Sequence, residues 1–154
     1  PILLGSIIAL RELDSLHSSN IVLAMLVSIW CCDSAAFLFG TWFGKLKIMP
    51  ETSPNKSWVG SFSGFTASIL VFIIFNHFNK LGSNFYLIDS IILGMISGLF
   101  GQIGDFFESM LKRDIGVKDS GTILKGHGGI LDRFDSLIFV SPITYIYILL
   151  SMKL

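Results

Sequence analysis

The chain has 154 residues, of which 52% are hydrophobic and only 14% charged, with a formal net charge of zero. A soluble domain carries about 25% charged residues, and a zero balance excludes the bulk basic signature of a nucleic-acid binder. Long apolar runs and a mean hydropathy of +0.72 predict instead an all-α, polytopic integral membrane protein, a bundle of about four to five transmembrane helices.

Residues 1–10 are apolar and read as the end of one span. The first residue is Pro and this opening run is short, so further helices are expected before it. No charged–apolar–small secretory leader is visible. Four segments then approach the roughly 20 residues that a helical span needs: Ile21–Phe43, Ser61–Phe78, Phe85–Gly104 and Ser136–Leu154. Barrel strands would be shorter and would alternate in polarity. Cys31 and Cys32 are adjacent, and no Cys-x-x-Cys spacing occurs, so neither a zinc site nor a disulfide framework is expected. Glycines stand four apart at Gly40/Gly44, Gly60/Gly64 and Gly94/Gly98. That spacing lets helix backbones approach closely, although 15 glycines also produce such pairs by chance.

The basic residues set an orientation. Lys45, Lys47 and Lys56 lie in one loop, and Lys112, Arg113, Lys118, Lys125 and Arg133 in another. Only Arg11, Lys80 and Lys153 fall on the opposite side. The excess predicts that both loops face the cytoplasm, with the protein in the inner membrane if the source is bacterial. Two loops on one face can build one site.

Asp33 lies inside the first long span. A charge at that depth is a functional candidate by default; the plain alternative is a carboxylate bonded to a neighbouring helix. The loop Pro50-Glu-Thr-Ser-Pro-Asn-Lys-Ser-Trp-Val-Gly60 turns at Pro54 and Asn55. It offers Lys56 and Ser57 as phosphate donors, or else is a plain connector.

Residues 105–135 carry 11 of the chain's 22 formal charges. At roughly 2.5–3.5 kcal/mol for each charge at a bilayer centre, this segment must meet water or line a polar site. If the third span continues as a helix, Asp105, Ser109 and Lys112 share one face. The alternative is an amphipathic interfacial helix with an internal Glu108–Lys112 pair. Asp132 and Asp135 share a face at the start of the last span. Paired carboxylates there suit Mg²⁺, which takes one or two carboxylates with phosphate oxygens and water; the competing reading is favourable charge at a helix N-terminus. Gly126-His127-Gly128-Gly129 leads into that helix, where backbone N–H groups can cradle an anion. Arg133 can bind phosphate or pair with an acid.

These segments resemble the phosphatidate cytidylyltransferase (CDP-diacylglycerol synthase) family. The resemblance rests on Ser109-Met-Leu-Lys112-Arg113, Lys118-Asp119 and His127-Gly128-Gly129-Ile-Leu-Asp132-Arg133-Phe-Asp135. It is extended by Gly104-Asp-Phe-Phe-Glu-Ser109, Asp33-Ser-Ala-Ala-Phe37, Phe43-Gly-Lys45 and Ser53-Pro-Asn-Lys-Ser-Trp58. It covers about residues 30–136 and implies one transmembrane catalytic domain over 1–154 that lacks the family's N-terminal helices. The implied reaction is CTP plus phosphatidate giving CDP-diacylglycerol and pyrophosphate. The implied metal ligands are Asp105, Asp132 and Asp135, holding one or two divalent ions, Mg²⁺ first. Lys56 joins them as a catalytic residue. Ser53, Asn55, Ser57, Lys112, Arg113, Lys118, Asp119, His127, Gly128, Gly129 and Arg133 would bind substrate. Expected partners are CTP, phosphatidate and membrane lipids, with no nucleic acid; a homodimer is left open. Two positions depart from the pattern: Val59 stands where the family usually has Glu, and Lys125 where it usually has Pro. The runner-up is a CTP-dependent transferase acting on another lipid, either a polyprenol kinase or an ether-lipid cytidylyltransferase. From other classes come an inactive scaffold and an ion transporter, and a transporter would spread its charges through the spans.

Overall fold

The computed structural model describes residues 2–13, 18–49, 53–82, 85–116 and 131–151, with backbone alone at 2–4, 54 and 131–133. Five helices and one short ribbon follow in chain order: α1 (Ile2–Glu12), α2 (Ser18–Phe43), β1 (Lys47–Met49), β2 (Ser53–Ser57), α3 (Trp58–His77), α4 (Leu87–Asp114) and α5 (Leu131–Ser151). Helices α2, α3 and α4 and residues 134–151 of α5 are long and apolar enough to cross a membrane. The protein is therefore an all-α integral membrane bundle, as the hydropathy predicts.

The boundaries differ from the apolar runs for local reasons. The 44–60 connection contains an antiparallel ribbon, β1 against β2, which apolar periodicity could not reveal in a polar loop. Helix α3 starts at Trp58 because Ser57 caps it: that residue is extended, and its Oγ accepts the Gly60 N–H at 3.2 Å. Such caps satisfy one of the orphan donors of a first helical turn. Helix α4 continues past Gly104 to Asp114. At 1.5 Å per residue it is about 42 Å long, more than the roughly 30 Å hydrocarbon core, so its charged last turns project beyond lipid. Lys112 and Arg113 lie in its last turn, where cations complement the helix dipole.

Neighbouring helices pack in the order α2, α3, α4, α5, and α1 rests against α5 and α2. Leu10, Met25, Ile29, Phe72, Leu93, Val140 and Ile148 form the shared core. Gly60 and Gly64 bring α3 onto α2: a Cβ on Gly60 would lie 2.6 Å from the Ala36 carbonyl, and one on Gly64 2.7 Å from the Cys32 carbonyl. Small residues of this kind drive helix association where no hydrophobic force acts between helices. Buried serines bond across the same interfaces. Ser68 Oγ donates to the Gly94 carbonyl at 2.9 Å, and Ser136 Oγ to the Gly101 carbonyl at 3.1 Å. At the far end, Asp89 accepts from the Tyr86 N–H at 2.8 Å and from the Tyr147 hydroxyl at 2.6 Å. That carboxylate closes the start of α4 onto α5.

Candidate active site

The ribbon covers one end of the bundle, where α2 ends, α3 begins and α4 leaves the membrane. From β2, Lys56 points into this end. Its Nζ lies 2.7 Å from Asp105 Oδ2 on α4 and 3.9 Å from the Phe106 ring centroid. An ammonium over an aromatic face is attracted by the ring quadrupole. The Nζ is shut from solvent and, among the described residues, makes no oriented hydrogen bond. Its contact with Asp105 is thus ionic, and the ammonium keeps donor capacity for an anion. This one contact joins the 50–60 loop to the 105–135 island and places both at the same end of the bundle.

A pocket of ≈ 240 Å³ opens beneath Lys56. Asp33, Asn55, Ser57, Ser61, Gln102 and Asp105 supply its polar lining, and Ala36, Phe37, Ile48 and Phe106 its apolar walls. A second cavity of ≈ 110 Å³ is lined by Trp30, Asp33, Asp135 and Ser136 among others. Asp33 lines both. It lies within electrostatic reach of Asp105, Asp135 and Lys56. Its position deep in α2 is therefore at the wall between two cavities.

Asp135 sits in the first turns of α5. Its Oδ1 accepts the Ser136 N–H at 2.6 Å, and its carboxyl meets that of Glu108 on α4. Gly104 makes the approach possible, since a Cβ there would lie 2.8 Å from the Asp135 carbonyl oxygen. Glu108 in turn pairs with Lys112 at 3.4 Å, so the internal pair read as the plain alternative for this helix does form. Four described carboxylates (Asp33, Asp105, Glu108, Asp135) and two ammonium groups (Lys56, Lys112) thus gather here. Two carboxyl groups in contact need a proton or a cation between them. These are hard-oxygen groups of the kind a divalent ion takes, but among the described residues no three ligating side chains converge on one point.

Ser57 lines the pocket, but its Oγ is committed to capping α3. Ser53 pairs with Met49 at the far end of β2 and is not among the lining residues. Lys112 and Arg113 lie further along α4, and Arg113 is exposed. Lys118, Asp119, His127, Gly128 and Gly129 lie outside the described residues, as do the side chains of Asp132 and Arg133; the backbone places the last two in the first turn of α5. Sequence reasoning missed Gln102, Ser61 and Phe106. Gln102 carried a signal: it is an amide in the run Gly101-Gln102-Ile103-Gly104, where an apolar span has no other use for one.

The segments that this site joins match a family model. The model describes the cytidylyltransferase family and matches residues 5–151. The chain belongs to the cytidylyltransferase family. Proteins named phosphatidate cytidylyltransferase are similar to it: one from Staphylococcus epidermidis is 46% identical over 129 residues, covering 84% of the chain and 48% of the relative. One from Staphylococcus haemolyticus is 45% identical over 136 residues, covering 88% and 50%. One from Staphylococcus aureus is 45% identical over 138 residues, covering 90% and 51%. The chain spans about half the length of these relatives. Within this cytidylyltransferase-family chain, Val59 is exposed on the first turn of α3 and is not among the lining residues of the Lys56 pocket. Lys125 lies outside the described residues.

Proposed function

We propose that this chain carries the site at which a membrane enzyme transfers the cytidylyl group of CTP to phosphatidate. The observation that carries the reading is the Lys56–Asp105 contact. It unites, at the mouth of a pocket between membrane helices, the two segments that the sequence singles out. The names of the staphylococcal relatives support the same reaction.

All reactants are anionic, so the site must lower charge and fix positions. Asp105 and Asp135, with Asp132 three positions before Asp135, would hold Mg²⁺, singly or as a pair. The ion supplies positive charge that offsets the triphosphate. Lys56 holds the triphosphate through its N–H donors, and Asp105 keeps that ammonium in place before CTP arrives. Asn55 and the start of α3 border the same space. The phosphatidate phosphate is already ionised, so no general base is required. One of its oxygens attacks the α-phosphorus of CTP, and the bond to the pyrophosphate oxygen breaks. Lys56 stays with the departing charge. The acyl chains remain in the leaflet, against apolar walls such as Phe37. With CTP in the cytoplasm, the charged end of the bundle faces that side of the bacterial inner membrane.

The test is incubation of the whole protein in lipid nanodiscs with labelled CTP, Mg²⁺ and phosphatidate. Labelled CDP-diacylglycerol is the expected product. Transfer to a polyprenol and not to phosphatidate would replace the acceptor, and no transfer to either lipid would sink the reading. Lys56→Met is expected to weaken CTP binding by about tenfold to a hundredfold, the scale of a charge-assisted contact to phosphate. Equilibrium binding of labelled CTP by the variant measures this directly.

A further inference from the structure

One amide in the pocket ties three helices together. Gln102, half-buried on α4, accepts from the Ser61 hydroxyl through Oε1 and donates through Nε2 to the Ser61 backbone carbonyl at 2.9 Å. The same Nε2 lies 3.6 Å from Cys32 Sγ on α2. A carbonyl oxygen has two lone pairs, so the Ser61 carbonyl can keep its place in the α3 ladder while accepting this bond. Both ends of one planar amide therefore grip a single residue. A two-point grip fixes rotation as well as distance.

The grip lies directly beneath the Lys56–Asp105 pair. Gln102 precedes Asp105 by three positions, a spacing that puts both on one face of α4. Ser61 follows the α3 cap Ser57 by four, and Lys56 is the residue before that cap. Gln102, Ser61, Ser57, Lys56 and Asp105 all line the one pocket.

We propose that Gln102 is a positioning residue: by clamping Ser61 it sets the start of α3, and with it Lys56, in register with Asp105. Its bearing on cytidylyl transfer rests on the function proposed above; its bearing on Lys56 does not. Without the clamp the first turn of α3 can slide along α4, and the Lys56 ammonium leaves Asp105 for solvent.

Acylation of lysines by an amine-reactive ester, followed site by site with mass spectrometry, reads this out in the whole protein. Lys45 and Lys47 are exposed on the same connection and serve as internal references. In wild type, Lys56 should react well behind both. Gln102→Leu, which keeps bulk but removes both bonds, should raise the Lys56 rate about tenfold and leave Lys45 and Lys47 unchanged, because reactivity follows the population of the locally open state. Ser61→Ala removes only the hydroxyl bond and should give a smaller rise. Under turnover, Gln102→Leu should raise the KM for CTP about tenfold with less change in kcat, the pattern of lost ground-state binding. If Gln102→Leu does not yield a monodisperse protein, Ser61→Ala decides. A Lys56 rate equal to wild type, in whichever of the two variants folds, overturns the proposal. Labelling needs no CTP, so a wild-type protein that transfers no cytidylyl group refutes the proposed function while the Lys56 rates still decide the role of Gln102.

Discussion

Asp105→Ala is expected to lower CDP-diacylglycerol formation by about a thousandfold or more while the protein still inserts and folds. Two losses combine at this position. The carboxylate is one of the hard-oxygen groups that would hold the divalent ion, and it is the ion-pair partner of Lys56 at 2.7 Å. Removing it leaves an ammonium shut from solvent without its ion-pair partner, and such a group swings out to water or turns to another anion such as Asp33. The variant therefore loses an ion site and the direction of its phosphate-binding lysine together. Asp105→Asn separates the two effects. Its amide oxygen can accept an N–H from Lys56 and hold the ammonium in place, but the charge needed for Mg²⁺ is gone. Turnover should fall nearly as far in Asn as in Ala, whereas CTP binding without metal should survive only in Asn. Activity within about threefold of wild type in both variants would remove Asp105 from the machinery. Asp105 is half-exposed at the membrane surface, its side chain 40% accessible, so stability should change little. Thermal unfolding in detergent checks that the loss is chemical.

Sequence reasoning reached the membrane bundle because lipid imposes a simple rule. A span needs about twenty apolar residues, and charge is pushed to its ends. That rule found all four spans. The excess of Lys and Arg, a separate signal, put the two charged loops on one face, and the Lys56–Asp105 contact brings them together. The apolar rule placed helix ends poorly, because those are set by single groups. The Ser57 hydroxyl starts α3 before the apolar run begins, and the amphipathic turns of α4 carry that helix beyond the run's end. The ribbon β1–β2 escaped notice because a three-residue strand has no periodicity to read. Asp33 was visible as a charge in a span, but its place between two cavities depends on how α2 packs against its neighbours, which no single segment encodes. Gln102 was overlooked for the opposite reason. Its partners lie 41 residues away on α3, and an amide in an apolar run says that it needs partners without saying which.

Gly64→Val is expected to destabilise the bundle by an amount on the order of 1–3 kcal/mol, the usual cost of forcing atoms into a packed interface. The neighbour that a Cβ would strike is the Cys32 carbonyl oxygen at 2.7 Å, with Cys32 Sγ at 3.0 Å and Ala36 Cβ at 3.2 Å. A flexible side chain could rotate away from such a contact, but a backbone carbonyl inside α2 moves only with its helix. The second branch of valine adds further bulk to the same interface. Helix α3 must then back away from α2, and the site follows. Lys56 hangs from the ribbon that joins these helices, and Gln102 bridges α4 to Ser61 on α3 while reaching Cys32 on α2. Lys56 should consequently become more reactive toward acylating reagents as the melting temperature falls. Gly5→Ala provides the contrast. A Cβ at Gly5 meets nothing within 4 Å, so alanine there should leave stability unchanged or raise it by up to about 1 kcal/mol through helix propensity alone. Equal melting temperatures for the two variants would mean that glycine content, and not close approach at Gly64, sets the packing of α2 on α3. A large fall for Gly64→Val alone would show that the geometry of the active end is held from the membrane interior, more than one helical turn below the residues proposed to meet CTP.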